Sequence, residues 1–171
     1  MQKKYKLPFA YFITFRTYGS WLHGDKRTSV SRENNIFGTP VIKPNQLLEN
    51  KMHAEKKHDS IIFKKTHADT ILNAMVAACN HYRWRLYSLH VRSNHVHLTI
   101  RADRTPEHMM TQLKAYATRF LRKQHGFSKT QKIWSRHGST KYLWTEKQVY
   151  FSSRYTIEFQ GQKMAYYCKL I

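Results

Sequence analysis

Two histidines one residue apart, His95 and His97, are the side chains of this sequence best suited to chemistry. They follow a polar turn, Arg92-Ser93-Asn94, that separates two short apolar runs, so residues 89–100 read as a hairpin. On its second strand side chains alternate between faces. Val96, Leu98 and Ile100 therefore point one way, and His95, His97 and Thr99 the other. Neutral imidazole is a common ligand for divalent metals, and a sheet holds ligands two residues apart without help from a flexible loop. In a chain with 11 His such a pair also arises from composition, and the spacing by itself leaves a metal site and an ordinary strand both open.

A second group lies near the C-terminus. Thr145-Glu146-Lys147-Gln148 has capping-box spacing, and no Gly or Pro interrupts the chain from there until Gly161. The helix this predicts over 145–159 carries Tyr150, Arg154, Tyr155 and Glu158, with Gln160 just beyond. Together they offer a hydroxyl nucleophile, a cation and two oxygen ligands. The same Tyr150, Phe151 and Tyr155 would serve equally well to pack a helix against a sheet.

The elements that must position these groups follow from periodicity. Phe9-Ala-Tyr-Phe-Ile-Thr-Phe15 is a dense β-branched and aromatic run, the signature of a buried strand. From 16 to about 67 the pattern breaks up around Gly19, Gly24, Gly38, Pro40 and Pro44, a long excursion that suggests function or mobility. Its Tyr18, Trp21, Lys26 and Arg27 suit stacking on bases and pairing with phosphates; a solvated loop with one anchoring Trp is the plainer reading. Apolar spacings of three and four predict a helix over 68–82, followed by a strand over 85–91 with Tyr87, Leu89 and Val91 on one face. Thr105-Pro106-Glu107 opens a helix to about 124, with Met109, Met110, Leu113, Tyr116, Ala117, Phe120 and Leu121 as its apolar stripe. Lys114, Arg119, Arg122 and Lys123 lie largely off that stripe as a solvated face, of which Arg119, Arg122 and Lys123 are candidate DNA contacts. Residues 132–136 and 141–144 read as two short strand pieces around His137-Gly138-Ser139.

This succession is the split βαβ order of a ferredoxin-like fold. The class expected is α+β, an antiparallel sheet with helices on one face, plus the C-terminal helix that carries Tyr155. One domain over 1–171, with a long loop insertion at about 17–67, accounts for the chain. The other face of the sheet would be left for ligands, with His95 and His97 on it.

Thirty Lys and Arg against ten Asp and Glu give a net charge of +20, and the pI is near 10.1. A polyanion is the expected partner, nucleic acid above all. No apolar run approaches the roughly 20 residues needed to span a bilayer, and no cleavable signal peptide is visible. Cys79 and Cys168 make neither a disulfide framework nor a zinc knuckle, which fits a reducing cytosol.

Asn94-His95-Val96-His97-Leu98 after a short turn, with Tyr155 and then Gln160-Gly161 downstream, resembles the single-tyrosine HUH transposases, which include the REP-associated tyrosine transposases and related insertion-sequence enzymes. The segment Phe12-Ile-Thr-Phe-Arg-Thr-Tyr-Gly-Ser-Trp-Leu-His-Gly-Asp25 resembles the opening of a branch of the same group. The resemblance covers most of the chain outside about 31–67. It implies that His95, His97 and an amide, Gln160, bind a divalent ion, Mg²⁺ or Mn²⁺, and that Tyr155 attacks a phosphodiester in single-stranded DNA. Cleavage and rejoining through a covalent phosphotyrosine would follow, as in DNA transposition. In much of that family the amide lies four residues after the tyrosine, where this chain has Phe159. Either the helix loosens before Gly161, or Glu158 supplies the third ligand. Members recognise hairpins and many act as dimers, so the resemblance also implies a single-stranded or hairpin DNA partner, a homodimer, and a cytoplasmic, nucleoid-associated protein. The rival reading is a non-catalytic ferredoxin-like nucleic-acid-binding protein derived from such a transposase.

Overall fold

The β-branched and aromatic run near the N-terminus forms β1 (Ala10–Thr17), the strand around which the sheet is built. A computed structural model describes residues 7–21 and 43–169. After β1 come α1 (Gln46–Ala54), α2 (Lys65–His81), β2 (Arg85–Val91), β3 (His95–Arg101), α3 (Pro106–His125), β4 (Trp134–Leu143), α4 (Glu146–Glu158) and β5 (Ala165–Cys168). All strand pairs are antiparallel and the order is β4-β1-β3-β2-β5. The first four strands stand in the ferredoxin-like order that the sequence predicts, and β5 extends the sheet beyond β2.

One face of the sheet carries the core. Ile13, Phe15, Leu89, Val91, Val96, Leu98 and Ile100 pack there against Ile71 and Met75 of α2 and Met109, Leu113 and Leu121 of α3. Leu98 is fully buried at its centre, where truncation to Ala costs about 2–5 kcal/mol. Thr105 caps α3 by accepting from the His108 N–H, Pro106 fills the first turn, and Gly126 ends the helix at φ 67°.

The structure corrects the reading of β2. Its register against β3 passes from Leu86↔Ile100 to Ser88↔Thr99, so Tyr87 is an extra residue in a bulge. A bulge reverses the alternation on one side of itself. Leu86 therefore joins Leu89 and Val91 in the main core, while Tyr87 packs on the opposite face with Ala10, Phe12, Leu143 and Val149. Three further differences concern segments with weak periodicity. The long excursion contains α1, which buries no residue, and then docks through Ile61 N–H to Tyr18 C=O and Phe63 N–H to Ser93 C=O. The two strand pieces expected after α3 are one ten-residue strand, β4, held by pairing with β1 rather than by an apolar pattern. The short edge strand β5 is formed by pairing with β2.

The opposite face is not left wholly open. α4 lies across it, mainly over β2 and β3, and leaves the part over β1 and β4 less covered. Its capping box is formed as the sequence predicts: Gln148 N–H donates to Thr145 Oγ1, and Thr145 N–H donates to Gln148 Oε1. Gly138 of β4 sits where a Cβ would stand 2.6 Å from the Thr14 carbonyl oxygen and 2.7 Å from Met110 Sδ, so the close approach of β4 to β1 and α3 requires glycine.

Candidate active site

The β1–β3 register sets Thr14 opposite His97 and Arg16 opposite His95, on the face that α4 covers. The two imidazole centroids are 4.7 Å apart. His97, 8% exposed, lies parallel to the Phe12 ring at 5.7 Å. Each ring is held at Nδ1. His95 donates to Asn94 Oδ1 at 2.6 Å, and His97 Nδ1 stands 2.7 Å from Thr14 Oγ1. An acceptor such as the Asn94 oxygen holds the proton on Nδ1 and leaves the Nε2 lone pair bare, while the Thr14 hydroxyl orients His97 as donor or acceptor.

Burial is the main reason that His95 is lowered to about 4, with the charges of Arg16 and Arg92 adding to it. His97 is lowered to about 3, again mainly by burial and then by His95, Arg16 and His90. Both rings are therefore neutral near pH 7, the form that can coordinate a cation. Arg16 also stacks over Trp21, its guanidinium carbon 3.3 Å from the ring centroid. The rim of the site is thus cationic, which suits a phosphate.

α4 brings the other residues. Val149, Ser153, Thr156 and Ile157 form its sheet-facing stripe at helical spacing. Tyr155 lies on one flank of that stripe, 48% exposed, with its ring centroid 5.9 Å from that of Phe12 and 6.2 Å from that of His97, edge-on to both. Tyr150 lies on the other side, against Phe151 and the Arg154 guanidinium. The helix ends at Glu158, and Phe159 leaves helical geometry at φ −106° and ψ 19°. That departure turns Gln160 inward, where it is 8% exposed. Its Nε2 donates to the Tyr155 carbonyl at 3.4 Å, while the Gln160 side chain acts on both imidazoles as an acceptor, raising their values against the lowering by burial. The amide oxygen is then the end that faces the rings. Glu158 turns to solvent instead and pairs with Arg154 at 2.6 Å. Of the two third ligands weighed from the sequence, the fold brings Gln160 to the histidines and takes Glu158 away. Gly161, at φ 71°, turns the chain back toward β5.

Two imidazole nitrogens and an amide oxygen form a mixed N/O donor set that fits a divalent ion with open coordination positions. Among the described residues no group of three His, Cys, Asp or Glu side chains gathers, so the amide is essential to that set.

The candidate DNA contacts are scattered. Tyr18 is partly buried against the core, and its hydroxyl accepts from the Lys57 N–H at 3.2 Å. Trp21 reaches the site's rim through Arg16. Arg119, Arg122 and Lys123 ride on α3, across the sheet from the imidazoles, where Arg122 donates to the Lys129 carbonyl at 2.8 Å. Lys114 is drawn under β4 and donates to the Ser135 carbonyl at 2.9 Å. Lys26 and Arg27 lie outside the described residues. Sequence reading passed over three residues of the site: Thr14, Asn94 and His90. His90 could have been found from period-2 alternation, since it stands between Leu89 and Val91 and so faces the same way as the His pair.

Residues 50–164 match the family model described as "Transposase IS200 like". No curated protein matches the sequence. Among solved structures, a REP-associated tyrosine transposase bound to a REP hairpin is similar at 12% identity and a TM-score of 0.48, over 92% of this chain and 69% of that one.

Proposed function

Since the chain belongs to the IS200-like transposase family, we propose that it cuts and rejoins single-stranded or hairpin DNA through a covalent bond to Tyr155. The observation that carries this reading is the convergence of His95, His97 and Gln160 beside the Tyr155 ring. His95 Nε2, His97 Nε2 and the Gln160 amide oxygen would hold Mg²⁺ or Mn²⁺. When bound, such an ion polarises the scissile phosphate and neutralises charge on its oxygens. Arg16 and Arg92 add a fixed positive field that draws the phosphate in. Tyr155 loses its phenolic proton to solvent or a local base as its oxygen attacks phosphorus. The Oη–P bond forms, the P–O3′ bond breaks, and the departing oxygen takes up a proton as the free 3′-hydroxyl. The phosphotyrosine keeps the bond energy, so a 3′-hydroxyl can reverse the step and join a new end without ATP. Thr14 and Asn94 keep both imidazoles oriented throughout.

The test is a denaturing-gel assay for protein–DNA adducts on a panel of hairpin and unstructured single strands with Mn²⁺. Wild type should form the adduct, and Tyr155→Phe, which removes one oxygen and keeps the ring, should abolish it while DNA binding survives. Tyr150→Phe should leave the adduct intact. Cleavage by Tyr155→Phe near the wild-type rate would sink the covalent mechanism. DNA binding by wild type without any cleavage would favour the non-catalytic binder.

A further inference from the structure

His90 is the third imidazole on the site's face of the sheet, opposite His97 in the β2–β3 register and completely buried. Unlike the other two it has no free nitrogen. Its Nδ1 is 2.9 Å from the Thr156 carbonyl oxygen, and its Nε2 accepts from the Met164 N–H at 3.4 Å. A carbonyl can only accept, so the proton sits on Nδ1 and Nε2 keeps its lone pair for Met164. With both nitrogens engaged, His90 is not a metal ligand.

What it holds is the part of the chain that carries the chemistry. Thr156 is in the last turn of α4, where carbonyls lack an intrahelical N–H partner. The Tyr155 carbonyl is met by Phe159 N–H and Gln160 Nε2; the Thr156 carbonyl is met by His90. Met164 lies just before β5, on the far side of the Gln160-Gly161 turn. One imidazole therefore ties both ends of 156–164 to β2, with Gln160 in the middle. Apolar packing shares this work, since Ile157 is buried on the helix and Met164 and Ala165 pack with the main core. The small cluster of Ala10, Phe12, Tyr87 and Leu143 takes Val149 from α4, near its N-terminus. The buried oxygens of Ser88, Thr99 and Ser153 lie under it without a hydrogen-bond partner among the described residues.

We propose that His90 is a positioning residue that seats Gln160 against the His95–His97 pair by capping the C-terminal turn of α4 and anchoring the start of β5. The proposal rests on the reading of those three residues as the cation site, and two measurements separate the two ideas. The first is amide hydrogen exchange in metal-free protein. His90→Leu keeps an apolar side chain of similar reach and should speed exchange over 159–164, while α2 and α3 stay protected. Unchanged protection over 159–164 overturns the clamp whatever the metal does. His90→Asn, whose amide can still donate near the Nδ1 position, should restore part of the protection; if it exchanges as fast as His90→Leu, donation to Thr156 is not what holds the turn.

The second is Mn²⁺ affinity by calorimetry. His90→Leu should weaken it about tenfold, the lower end of what loss of an outer-shell partner does. Gln160→Ala should weaken it as well, and the double variant should be no worse than Gln160→Ala alone, because His90 acts through Gln160. Fully additive losses would overturn the proposal and make His90 a general support of the fold. A wild type that binds no Mn²⁺ would overturn the cation site, with the exchange result still deciding whether His90 clamps the turn.

Discussion

Thr14 and Asn94 hold a pair of adjacent imidazoles, each at Nδ1. The Asn94 amide oxygen can only accept, so it keeps the His95 proton on Nδ1 and leaves Nε2 as a lone pair, whereas the Thr14 hydroxyl can donate to or accept from His97 Nδ1. Neutrality then follows from burial, which lowers His95 to about 4 and His97 to about 3. In the unfolded chain the same rings take up protons near the ordinary value of 6.5. Between pH 6.5 and 4 the unfolded state therefore binds more protons than the folded state, and acid favours unfolding. Metal-free protein should lose on the order of several kcal/mol as pH falls from 6.5, with the His95 contribution ending near pH 4 and that of His97 only near pH 3. Urea unfolding midpoints at a series of pH values would check this. A His97→Gln variant should show a flatter profile, and an unchanged slope would contradict the assignment. The two tyrosines of α4 differ for a simpler reason. Five residues on a helix turn through about 500°, so Tyr150 and Tyr155 stand about 140° apart and only one of them reaches His97.

At the level of elements, the site depends on β4 lying close to β1. Thr14 contributes a hydroxyl to His97 and a carbonyl oxygen to the space that a Gly138 side chain would occupy. Gly138→Ala should push the two strands apart or force Met110 aside, at about 1–3 kcal/mol of stability. Thermal unfolding would read that loss, and a variant as stable as wild type would show that the strands accommodate the methyl group. α4 is the contrasting element. Its N-terminus is fixed by the Thr145–Gln148 box and by Val149 packed with Phe12 and Tyr87, whereas its C-terminus combines buried Ile157 with the hydrogen bond from His90 to the Thr156 carbonyl. Thr145→Ala removes one such fixture and should lower stability by about 1 kcal/mol, with the adduct-forming rate little changed.

For the whole molecule, charge dominates. A net +20 on 171 residues attracts any nucleic acid, and counterion release makes such binding fall steeply with salt. Affinity for single-stranded DNA should drop at least about a hundredfold between roughly 50 and 200 mM salt. Fluorescence anisotropy across that range would test it, and a nearly flat salt dependence would contradict an electrostatic mode. No helix among the described residues is long and apolar enough to cross a membrane. Much of this molecule was legible in its sequence. Alternation put His95 and His97 on one face, the Thr-x-x-Gln spacing started α4, and strand and helix periods gave the ferredoxin-like order, because each is a local rule acting over a few residues. The bulge at Tyr87, the continuity of β4 and the existence of β5 were decided by pairing with strands far away in the chain. The same holds for Gln160, the proposed third donor. The sequence left Gln160 and Glu158 open, and what separates them is where the chain leaves helical geometry at Phe159, which turns one toward the sheet and the other toward Arg154. His90 completes the contrast: its neighbours put it on the right face, but only the packing of α4 and β5 onto β2 brought the Thr156 carbonyl and the Met164 N–H to its two nitrogens.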